Sequence, residues 1–399
     1  MSTRELSLSP VRTNLALGAL FLGMFVLGSA ELLVVGVLDL IADDLHVSIP
    51  AAGTLVTAYA LGLALGGPLL TALTIRLNKR TVLLGALGLF VVSNLVAVLT
   101  TSYGVFLTAR IVTGALQGLF IGAAFGAGIA VVPPERMGRA ISVVVSGVAI
   151  SAALGVPLGA LVGQTLGWRG SFTAIVGLSL VVLIATAALV PSVPSPAAGA
   201  GHQARHAFAP RVLAMLLVNL LVFAALFAAL TYVVPFLETV TGISGAPLSA
   251  FLLAYGVATA VGSFAGGRYA DKNAGRTVVL GSVGLAAALL ALYLVGSSAI
   301  PTALALVALG LFGMGIVPSL QYRVISLAGP GGQLAQALPA SAANIGIALG
   351  SAAGGVAVGN LTVSAAVMTG AIVALITIPV AWGTGFLEAP VVSAALADR

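Results

Sequence analysis

Twelve apolar runs, each close to the ~20 residues needed to cross a ~30 Å hydrocarbon core as a helix, follow one another along the 399-residue chain. They are Leu15–Leu38, Ala51–Leu73, Val82–Leu99, Gly104–Val131, Ala140–Leu166, Ser171–Val190, Val212–Phe236, Leu248–Tyr269, Thr277–Val295, Thr302–Gln321, Leu338–Val358 and Val363–Phe386. The runs are too long, and too rich in Leu, Ala and Gly, for strands. A helix satisfies its own backbone polar groups, which lipid cannot do. The chain is therefore expected to be an all-α integral membrane protein with twelve spans. Charged residues make up only 7% of it, against roughly 25% in soluble domains.

That composition excludes a soluble enzyme, a disordered protein and a nucleic-acid-binding domain. The net charge of +6 comes from only 16 basic and 10 acidic residues. There is no cysteine and there are three scattered histidines, so no metal site is expected. No Walker-type phosphate loop is present, and no cofactor is expected. Of the 16 basic residues, Arg110 lies within the fourth run and Arg169 alone falls on the far side. The other fourteen, among them Arg4, Arg12, Arg76, Lys79, Arg80, Arg136, Arg276 and Arg323, share the N-terminal side. Basic loops stay cytoplasmic, so both termini are expected in the cytoplasm of a cell-membrane protein.

The longest polar connection, Pro191–Arg211, is rich in proline and glycine, and splits the spans six and six. Expected units are a bundle over 1–190, a linker over 191–211 and a second bundle over 212–399. Ala58–Leu89 aligns without a gap on Ala254–Leu285 at an offset of 196, with 11 of 32 pairs identical, including Tyr59 with Tyr255 and Arg80 with Arg276. A parallel repeat of six-helix halves is a transporter architecture.

Four motifs carry chemistry. The loop after span 2 runs from Gly67 through Arg76 to Lys79 and Arg80, and its repeat partner runs from Gly262 through Asp271 to Arg276. Small residues there let helices approach, and an acid at a helix–loop junction pairs with cations or caps a helix. The loops resemble the signature loop of the major facilitator superfamily. In the first copy Ile75 replaces its acid and Asn78 its glycine, so the resemblance leaves the conformational latch to Asp271; the other reading is that these cations only enforce topology. Span 4 reads Arg110-Ile-Val-Thr-Gly114-Ala-Leu-Gln117-Gly118, similar to the superfamily's arginine-bearing fourth helix. Arg110 either snorkels to the outer interface or partners an acid on another helix. Span 5 carries Gly147, Ser151, Gly155, Gly159 and Gly163 with Pro157 between. It resembles the antiporter motif of exporters, with Gly-Val-Pro in place of Gly-Pro. Its chemistry is a proline-interrupted helix with close glycine contacts, and packing alone is the other reading.

Glu31 lies inside span 1 with no cation in that span, and is the one acid well inside any run. An ionisable group there is a candidate proton carrier, or a neutral acid in a structural hydrogen bond. The segment from Glu31 through Asp39 to Asp44 resembles the first helix of the twelve-span drug:proton antiporters, in particular the arabinose, sugar and chloramphenicol exporters. The resemblance covers essentially the whole chain. It implies the major facilitator fold, two pseudo-symmetric six-helix bundles, with Glu31 coupling protons and Asp39 meeting Arg110. Asp39 is equally readable as a solvated loop acid. Gln117, Asn219, Tyr232 and Asn344 are candidate cavity residues, and Asn219 and Asn344 are alternatively ties between helices.

The expected function is proton-coupled export of small, largely apolar molecules, with protons, substrate and the bilayer as partners. A monomer is expected, since one chain of twelve spans contains a complete pathway. The other reading is a proton-coupled sugar or metabolite transporter on the same fold. No catalytic acid pair or Ser–His pair suggests an intramembrane enzyme, and no ring of charge suggests a channel.

Overall fold

The structure, a computed structural model, describes residues 9–74, 76–133, 136–193, 208–329, 335 and 338–388. Eleven helices among them are long and apolar enough to cross a membrane. Span 1 is Pro10–Gly36, span 2 Ile49–Thr74, span 3 Lys79–Leu99 and span 4 Tyr103–Ala130. Span 7 is Pro210–Leu230, span 8 Ala246–Ala270, span 9 Lys272–Val295, span 10 Ala299–Ala328, span 11 Leu338–Asn360 and span 12 Val363–Thr384. The helical stretch Met137–Leu189 supplies two crossings, because it breaks at Gly167, where φ is 70°. The reversal is proved by Ser171, whose hydroxyl donates to the Gly159 carbonyl at 3.0 Å. A straight helix would hold residues twelve apart at ~18 Å. Residues 137–166 and 168–189 are thus spans 5 and 6, and the crossings total twelve.

Local chemistry sets several ends. Span 1 begins five residues earlier than its apolar run, because the Ser9 hydroxyl caps it and Pro10 fits its first turn. Asn78 caps span 3, accepting from the Arg80 amide at 2.9 Å. The same Asn78 side chain donates to the Ser192 hydroxyl at 2.6 Å, and the Lys79 amide bonds the Val193 carbonyl at 2.9 Å. The start of the sequence-predicted linker is therefore fastened to the loop after span 2. Residues 194–207 lie outside the described residues.

Glycine decides the closest packing. A π-helical turn at Gly62–Gly66 opens span 2, and a Cβ at Gly62 or Gly114 would overlap the backbone of the facing helix. Gly114 sits against Tyr59 and Leu63, and Gly310 sits against Tyr255 and Thr259, all at an offset of 196. Gly147 packs on the Phe21 carbonyl and Phe25 amide, while Gly346 packs on the Leu220 carbonyl and Ala224 amide, an offset of 199. Spans 2 and 4 thus repeat as 8 and 10, and spans 1 and 5 repeat as 7 and 11 with three residues more.

Hydrogen bonds between the two bundles, among the described residues, number three. They are Thr57 to the Ala348 carbonyl at 3.4 Å, Gln164 to the Gly245 carbonyl at 3.0 Å and Ser351 to the Gly53 carbonyl at 3.1 Å. Gly53, Gln164 and Gly245 belong to span ends remote from the linker, here called the far side. There Tyr232, only 1% exposed, plugs the seam between Gly53 of the first bundle and Gly355 of the second. The bundles are closed against each other on that side.

Candidate functional site

Span 1 presents Glu31 to the seam between the bundles. The span is held by glycines of span 5: a Cβ at Gly147, Gly155, Gly159 or Gly163 would press on Phe21, Ser29, Leu33 or Val37 respectively. The ladder with Pro157 therefore lies inside the first bundle, and fixes the helix that carries Glu31. The matching ladder Gly346, Gly350 and Gly354 of span 11 holds span 7.

Glu31 lines a cavity of about 110 Å³ together with Gly28, Leu32 and Ser151 of the first bundle. Across from them stand Phe223, Phe227, Leu230, Tyr255, Met314 and Ile347. The Phe223 and Phe227 rings stack at 6.5 Å. One wall thus holds a carboxylate, and the other is mostly apolar, with the hydroxyl-bearing side chains of Tyr255 and Thr259 among its aromatic and aliphatic groups.

Behind Glu31 lies a buried polar chain. The Gln117 amide donates to Glu31 Oε2 at 2.7 Å. Its own oxygen accepts the Tyr59 hydroxyl. The Arg110 guanidinium lies over the Tyr59 ring, 4.0 Å from its centroid. Arg110 is 1% exposed, and donates to the carbonyls of Ala30 at 2.9 Å, Glu31 at 3.1 Å and Leu55 at 3.4 Å. Of the two sequence readings of Arg110, snorkelling is excluded: the side chain is sealed between spans 1, 2 and 4.

Among the described residues no hydrogen bond or ion pair joins Asp39 to Arg110. Asp39 sits in the short helix Leu38–Asp44, separated from span 1 by the non-helical Val37, while the guanidinium is occupied by carbonyls. Gln117 is 3% exposed and stands behind the cavity wall. Asn219 donates to the Pro339 carbonyl at 2.6 Å, tying span 7 to span 11. Asn344 donates to Ala340 within its own helix at 2.9 Å. Tyr232 donates to the Ser351 carbonyl at 3.0 Å in the far-side seam. Asn219, Tyr232 and Asn344 are not among the residues that line the Glu31 cavity.

On the linker side, Arg76 and Arg276 are exposed. Arg80 donates to the Ala187 carbonyl of span 6, and the Arg276 amide bonds Asn273 Oδ1 at 2.9 Å. Ile75 and the side chain of Asp271 lie outside the described residues. Sequence reasoning did not place Tyr59 and Tyr255 at the site, although their identity at matching repeat positions signalled them. Phe223 and Phe227 gave no signal apart from other apolar residues of span 7. No group of three or more His, Asp or Glu suited to a metal occurs among the described residues.

These features can be set beside known proteins. The family model of the Major Facilitator Superfamily matches residues 20–338. The inner membrane transport protein YdhP of Escherichia coli K12 is 32% identical over 369 residues, covering 91% of this chain and 94% of that protein. A chloramphenicol resistance protein of Streptomyces lividans is 28% identical over 341 residues, covering 84% and 87%. Among solved structures, a bacterial homologue of the human lysosomal transporter Spinster, in an inward-facing unoccupied conformation, superposes with a TM-score of 0.80 at 17% identity, over 94% of this chain and 98% of the other. The D-xylose–proton symporter gives 0.77 at 16% identity, over 96% and 100%. These two likenesses concern the fold. The chain, with its twelve crossings, its repeated halves and its cavity between them, belongs to the major facilitator superfamily of membrane transporters.

Proposed function

We propose that the protein is a proton-coupled antiporter that exports small, largely apolar organic molecules by alternating access. The observation that carries this reading is the cavity itself: one carboxylate, Glu31, on a wall that faces Phe223, Phe227 and Leu230. A single carboxylate in largely apolar surroundings suits a proton exchanged against a neutral, largely apolar substrate. A sugar would leave most of its hydroxyls without partners on such walls, at a cost of about 1–3 kcal/mol for each unsatisfied group. Similarity to the Streptomyces lividans chloramphenicol resistance protein supports a drug-like substrate.

In this reading the linker side is cytoplasmic. A cavity of about 110 Å³ is smaller than the ~300–1,000 Å³ of small-molecule sites, so a drug-sized molecule enters when the bundles part. A proton reaching Glu31 from outside displaces the substrate, and its release inward resets the site. Arg76, Arg80, Asp271 and Arg276 belong to the linker-side switch. Gly155, Pro157 and Gly159 keep span 1 in register during rocking. Asp39 lies on the outer route to Glu31.

The test is transport driven by a pH gradient in proteoliposomes, with chloramphenicol as probe. Glu31→Gln keeps the size and hydrogen bonding of the protonated acid, and should abolish uphill export while leaving substrate exchange. Full driven export by the variant would move the proton site elsewhere. Counterflow under the same gradient separates export from symport.

A further inference from the structure

Gln117 bridges Tyr59 and Glu31 in one defined orientation. Its amide has one oxygen and one NH2 group. The Tyr59 hydroxyl, which also reaches the Leu27 carbonyl at 3.4 Å, donates to the oxygen, and the NH2 group points at Glu31, where it lies 2.7 Å from Oε2. Tyr59 is in turn immobile: it is 1% exposed and packed under the Arg110 guanidinium. Arg110 itself is spent on three carbonyls, two of them at Ala30 and Glu31. Guanidinium, ring, amide and carboxylate form one rigid train across spans 4, 2 and 1.

The repeat shows which members belong together. At the offsets fixed by the glycine contacts, Tyr59 corresponds to Tyr255, but Gln117 corresponds to Gly313, Arg110 to Leu306 and Glu31 to Leu230. The second bundle keeps the tyrosine and has neither the amide, the cation nor the carboxylate. The amide and cation accompany the acid.

We propose that Gln117, locked by Tyr59, is a positioning residue that sets the pH at which Glu31 exchanges its coupled proton. A donor aimed permanently at the carboxylate favours its ionised form. Without it, Glu31 holds its proton to higher pH. The amide is not among the groups that line the cavity, so it acts through Glu31. This inference rests on Glu31 as the coupling acid, and goes beyond it by assigning the residue that tunes that acid.

The test is the pH profile of chloramphenicol transport in proteoliposomes at matched protein amounts. Gln117→Leu should move the midpoint up by about one to two pH units, the equivalent of one hydrogen bond to a charged group. Tyr59→Phe frees the amide to flip, and should move the midpoint in the same direction by less. Gln117→Asn retains a donor on a shorter arm and should recover part of the shift. Reduced rate with an unchanged midpoint in Gln117→Leu and Tyr59→Phe would overturn the proposal and leave the train a packing feature. The wider reading fails differently, by retention of driven export in Glu31→Gln. Should Gln117→Leu be poorly folded, Tyr59→Phe, which removes one oxygen atom, decides alone.

Discussion

Gly53→Ala should tip the transporter away from the conformation seen here. In this conformation a Cβ at Gly53 would overlap the Tyr232 hydroxyl and ring. Tyr232 cannot easily yield, being 1% exposed and bonded to the Ser351 carbonyl at 3.0 Å. Overpacking of this kind costs about 1–3 kcal/mol. Gly53 belongs to the first bundle and Tyr232 to the second, so the penalty vanishes once the far side opens. The equilibrium then shifts about 5- to 150-fold towards the far-side-open state. Gly355 supplies the control. A Cβ there meets the same hydroxyl, but Gly355 and Tyr232 share a bundle and move together, so the strain applies in both states. The native chain has no cysteine, which makes the assay clean. Leu32, a cavity residue, is replaced by cysteine and labelled from each face of the membrane with an impermeant maleimide. Far-side labelling should rise in Gly53→Ala and stay at the parental level in Gly355→Ala. Equal labelling in the two variants would show that Tyr232 is not the seam between moving bodies.

Three further outcomes are expected. Glu238, beyond span 7, is pushed up to about 7 by burial and then by the charges of Asp39 and Asp43. Closing the far side therefore takes up a proton between the ordinary value of 4.5 and about 7: closure weakens as pH rises through that window and the effect levels off above it. Far-side labelling of the Leu32→Cys chain should increase from pH 6 to pH 8, and lose that dependence in Glu238→Gln. Asp44 is held below the usual carboxylate range, first by its hydrogen bond from Arg169. That bond contributes stability above the ordinary carboxylate pKa of about 3.9, and is lost as pH falls through the lower folded value. Melting curves of wild type and Arg169→Met should differ at pH 7 and converge in strong acid. Finally, a cysteine at exposed Phe208 should be protected from impermeant reagent in intact cells, and labelling there would invert the proposed topology.

The crossings were legible because apolar runs and basic loops alternate with one period, and lipid leaves a helix few alternatives. The start of span 1 was less legible, since Ser9 and Pro10 specify a helix end without being apolar. Glu31 stood out as one carboxylate in a long apolar run. Its neighbours did not, because they come from spans 2 and 4, and adjacency of helices is decided by shape. Glycines at 62, 114 and 118 bring those spans together, and only then do Tyr59 and Gln117 converge on the acid. For the same reason Asn219 and Asn344, polar and within spans, could not be sorted between cavity and helix contact until their carbonyl partners were visible. The repeat, gapless over 32 residues, conceals a three-residue change of register that the glycine ladders of spans 5 and 11 expose.

That change of register bears on the chemistry, because it identifies Leu230 as the counterpart of Glu31. The two bundles are alike in backbone and unlike in charge: one carries an acid with its supporting cation, the other an apolar wall. The placement of that cation is equally selective. A guanidinium bonded directly to Glu31 would hold the carboxylate ionised, and breaking such a buried pair costs roughly 3–5 kcal/mol. Arg110 instead donates to the carbonyls of Ala30, Glu31 and Leu55, which stay polar whatever the acid does. Its hydrogen bonds thereby do not depend on the carboxyl group of Glu31, and the backbone that carries the acid is anchored. On the proposed function, the carboxylate can then lose or gain a proton without breaking those bonds. In that reading an arginine sited for a permanent ion pair would lock the cycle in one protonation state, whereas one sited on carbonyls keeps its own hydrogen bonds as the proton comes and goes.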